Sequence, residues 1–186
     1  QQLWFQLGEA DGQKGMAAGN FTAQLNTKFI KTNETPLNQP AYLAGWAKGN
    51  EKFWFDKGVK DGQSGDSESL KEKHRNEALA ASLGFNELSY VQGWRIGNEE
   101  YWTVRGRADG FSGEPASVML PMRANDARPL GLYVNEAAYR QGWENGLIEY
   151  WTKLGQEDAI SGKQFALRKK EAMKKGLKIL EDVYQA

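Results

Sequence analysis

The sequence predicts an all-α protein built as a short helical repeat array: a half-repeat, three full repeats of roughly 48 residues and a C-terminal capping helix. One skeleton, Y-x-x-G-W-x-x-G followed by an aromatic–Trp pair and G-x-x-D-[GA]-x-x-G, occurs at residues 42–65, 90–113 and 139–162, and its second half occurs alone at residues 4–15. Its glycines and aromatic residues recur at intervals of three and four, which is typical of helices. Glycine- and aromatic-rich repeats also build β arrays, so a β or mixed repeat stays an alternative.

Size and composition narrow the classes of function. The 186 residues predict a single domain over residues 1–186. With 24 basic and 24 acidic residues the formal net charge is zero, so a general attraction to nucleic acid is not indicated. Cysteine is absent, which excludes disulfides, thiolate metal sites and cysteine nucleophiles. No apolar stretch approaches the length that a transmembrane span needs.

An asparagine precedes the tyrosine of each full repeat by four residues: Asn38, Asn86 and Asn135. Gln39, Glu87 and Glu136 follow these asparagines, and Pro40 comes next in the first repeat. An Asn side chain accepts from the free amides of a first helical turn, and proline is tolerated there. Each asparagine is therefore predicted to be the N-cap of a helix.

Each repeat carries two stripes at helical spacing, and the first repeat serves as the example. The first stripe consists of Tyr42, Gly45, Trp46, Gly49 and Phe53; the second consists of Trp54, Gly58, Asp61 and Gly62. On one unbroken helix the two stripes would face different directions. Either a single helix is buried on two faces, or two shorter helices meet near residues 54–58, and the pattern favours a break or bend.

The glycines and the repeated aspartate are predicted to be structural. Each helical glycine costs up to about 1 kcal/mol relative to alanine, so close packing must offset it. Small residues four apart admit a second backbone or an aromatic ring, and we interpret them as notches for the repeat's own rings. We expect each repeated aspartate to bond a Trp or Tyr of its own or a neighbouring repeat. These aspartates are Asp11, Asp61, Asp109 and Asp158.

The segments between the repeats vary in sequence. Asn20 is predicted to cap a short helix that carries Phe21, Leu25 and Phe29. His74, the only histidine, lies among charged residues in KEKHRNE and is expected to be a solvated surface residue. Residues 163–186 are predicted to form one amphipathic capping helix, whose apolar face consists of Met173, Leu177, Leu180 and Tyr184.

Two groups of residues are candidate binding sites. Trp46, Trp94 and Trp143 either belong to a repeated core or form an exposed ladder that stacks on sugar rings or a partner chain. The C-terminal helix is strongly basic, and it is either a solvated face or a contact for an anionic membrane surface, lipopolysaccharide or an acidic partner. The basic residues are Arg168, Lys169, Lys170, Lys174, Lys175 and Lys178.

The sequence indicates no catalytic, metal or cofactor site. Gly58, Gly62 and Gly65 lack the G-K-[ST] ending of a phosphate-binding loop, and neither H-E-x-x-H nor an EF-hand loop is present. A single active site would need an asymmetric constellation, whereas the prominent carboxylates belong to the repeat. We therefore expect a protein that is not an enzyme and uses no cofactor.

The pattern W-x-x-x-G-x-x-D-G-x-x-G followed by Y-x-x-G-x-x-x-G resembles a family of Gram-negative envelope lipoproteins of unknown function. The family's Cys after Tyr is Trp in this chain, at Trp54, Trp102 and Trp151. The resemblance implies a location in the periplasm or outer membrane, or secretion, with an N-terminal lipid on a Cys just before Gln1. It implies no known activity. The expected function is an envelope scaffold or interaction protein with protein partners, and the alternative is a glycan- or peptidoglycan-binding module using exposed Trp.

Overall fold

The computed structural model describes residues 2–25 and 36–186, and within these ranges the chain is helical with no strand. The all-α prediction is confirmed. The α-helices are α1 (Gln2–Gln13), α2 (Phe21–Gln24), α3 (Gln39–Ser64), α4 (Leu70–Ala80), α5 (Glu87–Phe111), α6 (Ala116–Ala127), α7 (Glu136–Ser161), α8 (Phe165–Lys175) and α9 (Glu181–Gln185). Short 3₁₀ helices occupy Ala18–Asn20 and Arg128–Leu130.

The chain divides into two compact bodies, an N-terminal body (Gln1–Gly97) and a C-terminal body (Asn98–Ala186), and the division falls within α5. In the N-terminal body, a buried cluster joins α1, α2 and α3 through Trp4, Phe21, Ala41 and Tyr42. Each body is described separately below. The single domain over residues 1–186 stays a prediction.

Side chains and backbone geometry fix both ends of the long helices α3, α5 and α7. The Oδ1 atoms of Asn38, Asn86 and Asn135 accept hydrogen bonds from backbone amides three residues later, at 3.0–3.1 Å, which confirms the three N-caps. Each long helix ends before a glycine of positive φ, as at Gly65 with φ 77°. This left-handed conformation costs little for a residue without a Cβ and stops the helix.

Each long helix runs unbroken, so the expected break near residues 54–58 is wrong. The two stripes of one continuous helix pack against different neighbouring helices. In α3 the first stripe faces α1, where Gly45 meets Phe5, and the second faces α5, where Gly58 meets Tyr90. A helix that packs on two sides needs two buried faces, and this requirement explains the pattern that resembled a bend.

Helix backbones, rather than aromatic rings, fill the glycine notches inside the helices. A Cβ added at Gly45 would overlap the carbonyl oxygen of Phe5, and one added at Gly8 would overlap that of Tyr42. The same reciprocal contact joins α3 to α5 in the N-terminal body and α5 to α7 in the C-terminal body. Those pairs are Gly58 with Tyr90, Gly93 with Phe55, Gly106 with Tyr139 and Gly142 with Thr103.

The notch interpretation holds at two of the glycines that end a helix. A Cβ added at Gly15 would lie 2.7 Å from the ring of Phe53, and one added at Gly113 would lie 2.5 Å from the ring of Tyr150. The prediction of rings in notches is therefore wrong for the helical glycines and correct for these two.

The first connector differs from its prediction. Asn20 makes no cap hydrogen bond, since its side chain donates to Asp11 instead. The helix that follows it, α2, ends at Gln24, and Phe29 lies outside the described residues.

The C-terminal segment also differs from its prediction, because the single capping helix over residues 163–186 is wrong. Gly176 adopts a φ of 69° and ends α8, and the chain then turns into α9. Leu177 is buried, whereas Met173 is 67% exposed. Tyr184 of α9 approaches Gly155 of α7 through its carbonyl, as Tyr139 approaches Gly106.

The reciprocal contact predicts an unusual response to Gly58→Ala. At an open helical position this change stabilises by about 1 kcal/mol. Because the new methyl would overlap the carbonyl of Tyr90, we expect the free energy of unfolding to fall by about 3 kcal/mol, measured by urea denaturation. Gly19→Ala is the control, since a Cβ there meets nothing within 4 Å. A gain in stability for Gly58→Ala would contradict the backbone contact.

Candidate functional site

The four repeated aspartates are buried and form the most conspicuous polar sites of the fold. Each accepts a hydrogen bond from the hydroxyl of a tyrosine on a later helix, which confirms the expected bond to Tyr or Trp. The four pairs are Asp11–Tyr42 at 2.7 Å, Asp61–Tyr90 at 3.0 Å, Asp109–Tyr139 at 2.8 Å and Asp158–Tyr184 at 2.9 Å. We call each pair, together with its connector side chain, an aspartate clasp.

A different kind of side chain from the connector completes each clasp. Asp11 accepts from the amides of Asn20 and Gln24, at 2.8 Å for the closest atoms. The other three aspartates bind groups that carry or can carry a positive charge. These are His74 Nε2 at 2.8 Å from Asp61, Arg123 Nη2 at 2.6 Å from Asp109, and Arg168 Nε at 2.7 Å from Asp158.

Sequence reasoning missed these connector partners. His74 is 5% exposed, so its expected place on the solvated surface is wrong. The charged neighbours indicated a solvated helix, but the ring packs on Trp54 and Tyr90. A weak signal was present: a polar side chain follows each aspartate by 9 to 14 residues.

The electrostatics of the clasps favour neutral tyrosines in all four and a charged carboxylate at Asp158. Burial, followed by the nearby carboxylate, raises the pKa of Tyr42, Tyr90, Tyr139 and Tyr184 above its usual value. The hydrogen bonds from Arg168 lower the pKa of Asp158 to about 2, against the opposing effect of burial. These tyrosines therefore act as hydrogen-bond donors at neutral pH, with no tendency to ionise.

Trp94 and Trp143 are 2% and 7% exposed, so for both the interpretation as a repeated core is confirmed and the alternative of an exposed ladder is wrong. Trp46 is partly buried. Each of the three indoles donates its N–H to the carbonyl that follows a helix-ending glycine, and this bond turns the ring inward. The acceptors are Met16 for Trp46 at 2.7 Å, Asp66 for Trp94 at 2.9 Å and Glu114 for Trp143 at 2.7 Å.

The other four tryptophans are also part of the core. Trp4, Trp54, Trp102 and Trp151 are at most 3% exposed. Each indole donates to a backbone carbonyl that lies three residues before the first residue of α3, α5, α7 or α9, respectively. The acceptors are Pro36, Gly84, Tyr133 and Lys178, at 2.7–3.0 Å. Lys178 precedes α9 in the way that Pro36 precedes α3. We therefore assign α9 as a further start of the repeated pattern.

The predicted basic surface is largely neutralised by neighbouring carboxylates. Arg168 belongs to the Asp158 clasp, so its assignment as an anionic-surface contact is wrong. Three lysines face glutamates: Lys175 with Glu114 at 3.1 Å, Lys178 with Glu144 at 3.7 Å and Lys169 with Glu181 at 3.9 Å. Lys170 and Lys174 lie exposed on α8.

The described residues contain an open cleft but no cluster of side chains placed to hold a metal ion. Residues 2–25 and 36–186 contain no group of three His, Asp or Glu side chains placed to hold a metal ion. An open cleft of about 390 Å³ in the N-terminal body is lined by Glu9, Lys48, Lys52 and Phe55, among others, and a Lys48–Glu9 ion pair of 2.8 Å lies beside it. Both lysines of its lining are in ion pairs, Lys48 with Glu9 and Lys52 with Asp56, and the lining contains no histidine.

None of the helices in the described part of the chain combines the length and apolar character needed to cross a membrane. Comparison with protein families, with curated protein sequences and with solved structures finds no match to this chain. The clasps and the indole bonds therefore have to be interpreted from their own geometry.

The lowered pKa of Asp158 predicts a loss of stability in acid. An Asp ionises near pKa 3.9 when unfolded, so its contribution is present above about pH 4 and is lost as the pH falls towards about 2. We expect the stability difference between wild type and Asp158→Asn, measured by urea denaturation, to shrink over this interval. Glu157→Gln, whose side chain is 54% exposed, is the matched control. A difference that stays constant with pH would contradict the assignment.

Proposed function

We propose that this chain is a non-enzymatic scaffold or interaction protein built as a helical repeat array. One observation carries the proposal: the recurring polar side chains are used within the fold. The Asn, Asp, Tyr and Trp of the skeleton bond one another, the connectors or the backbone. Among the described residues, no buried side-chain N or O atom lacks a hydrogen-bond partner. A catalytic centre ordinarily keeps polar groups directed at a substrate.

The residues left for recognition are the exposed side chains that differ between repeats. In the C-terminal body, the connector between α5 and α7 exposes Val118, Met122, Leu130 and Tyr133, each by half or more. Exposed apolar and aromatic side chains are suited to protein partners. The exposed side chains of the connectors thus differ from one connector to the next, while a buried side chain of each connector completes a clasp.

The proposed location is the cell envelope, with an N-terminal lipid anchor, or secretion. The support for it is the resemblance of the Gly–Asp–Tyr pattern to envelope lipoproteins. A glycan-binding function is not retained as a second candidate, because Trp94 and Trp143 lack the exposed ring face that stacking on a sugar requires.

Site-specific photocrosslinking in native envelope preparations tests the proposal. A photoreactive residue placed at Met122 or Tyr133 should give an adduct of one defined mass, because these exposed apolar and aromatic positions belong to the proposed contact with a protein partner. Lys153 on α7, also solvent-exposed, is the matched control and should give none. Equal labelling at all three positions, or no adduct at the connector, would count against an interaction surface there.

A further inference from the structure

His74 occupies the clasp of Asp61 with both of its ring nitrogens engaged. Nε2 lies 2.8 Å from an oxygen of Asp61, and Nδ1 lies 3.2 Å from an oxygen of Glu77. The imidazole is buried and packs between the rings of Trp54 and Tyr90, with centroids 6.1 and 5.4 Å away. This one side chain therefore connects α4 to both α3 and α5 within the N-terminal body.

Both neighbours of the ring are carboxylates, and an ionised carboxylate only accepts hydrogen bonds. A neutral imidazole has one N–H and one lone pair, so it can donate to only one of them. The doubly protonated ring donates to both. We infer that the Asp61–His74–Glu77 contact is a pH-sensitive clasp, which holds α4 against the body when His74 is protonated and loosens it on deprotonation.

The groups around the ring decide which contact is lost first. The Asp61 side chain is 7% exposed and also accepts from Tyr90 and, at 3.4 Å, from Lys57. The Glu77 side chain is 56% exposed and can turn into water. The neutral ring therefore keeps its N–H on Asp61 and releases Glu77, which belongs to α4 itself. The bond to Asp61 then loses the positive charge of the imidazole, and Lys57 stays as the charged partner of that carboxylate. The clasp is stronger with the ring doubly protonated than with the ring neutral, because only the doubly protonated ring donates to both carboxylates.

The other three clasps do not respond to a change of pH near neutrality. Arg123 and Arg168 stay charged at every pH near neutrality, and the amides of Asn20 and Gln24 never ionise. Connector side chains complete the four aspartate clasps, and among them His74 is the group that can gain or lose a positive charge near neutral pH. The α6 connector, with Arg123 on Asp109, therefore serves as a control within the same chain.

Native-state hydrogen exchange of the full chain tests the inference. Protection factors, corrected for intrinsic exchange, should fall about tenfold for α4 amides between about pH 5.5 and about pH 8, and those of α6 should stay constant. His74→Gln keeps a neutral donor to Asp61, so its α4 protection should not vary with pH. Constant α4 protection in wild type, or the same fall in His74→Gln, would overturn the inference.

A second measurement does not depend on a variant. Because His74 is the only histidine, ¹H–¹⁵N correlation spectra report a single imidazole. Both ring nitrogens should be protonated at about pH 5.5, and one proton should leave over the interval in which α4 protection falls. A ring that is neutral at the lower pH, or still doubly protonated at about pH 8, would sink the proposal.

Discussion

The close approach of helix backbones is the constraint on which the rest of the structure depends. Glycines on both partners of the α1–α3, α3–α5 and α5–α7 pairs face the other's carbonyl oxygens, as Gly58 faces Tyr90 and Gly93 faces Phe55. Removing the Cβ from both surfaces lets Cα–H groups meet carbonyls directly, a weak interaction that recurs along the contact. At this separation a tyrosine hydroxyl on one helix reaches an aspartate on its neighbour. The clasp therefore depends on the close approach that the glycines allow.

The clasp in turn constrains the connectors. A buried carboxylate needs more than one hydroxyl, and each connector supplies the remaining donors with a different group: two amides, an imidazole or a guanidinium. The geometry is conserved within the chain while the chemistry varies. The indoles add a second fastening, because they donate to carbonyls just after one long helix and just before the next. The proposed recognition of a partner therefore depends on the exposed faces of the connectors.

The sequence predicts the local features of this fold well. Asn38 as a cap follows from the chemistry of a first helical turn, and the partnership of aspartate with an aromatic residue follows from the need of a buried carboxylate for hydrogen-bond donors. The unbroken α3 could not be predicted, because one helix with two buried faces and two helices with one face each give the same spacing. His74 was misjudged since its neighbours are charged and only tertiary packing buries it. The bond of Tyr184 to Asp158 could not be predicted, because α9 has the tyrosine of the repeats but neither their glycines nor their Trp.

Tryptophan fluorescence with a soluble quencher tests most directly whether the fold itself uses the recurring residues. Six of the seven indoles are at most 7% exposed, and Trp46 is partly buried. The account predicts blue-shifted emission, little quenching beyond a fraction due to Trp46, and no response to cell-wall sugars. Red-shifted emission that is quenched for most of the tryptophans and changes with added sugar would contradict it.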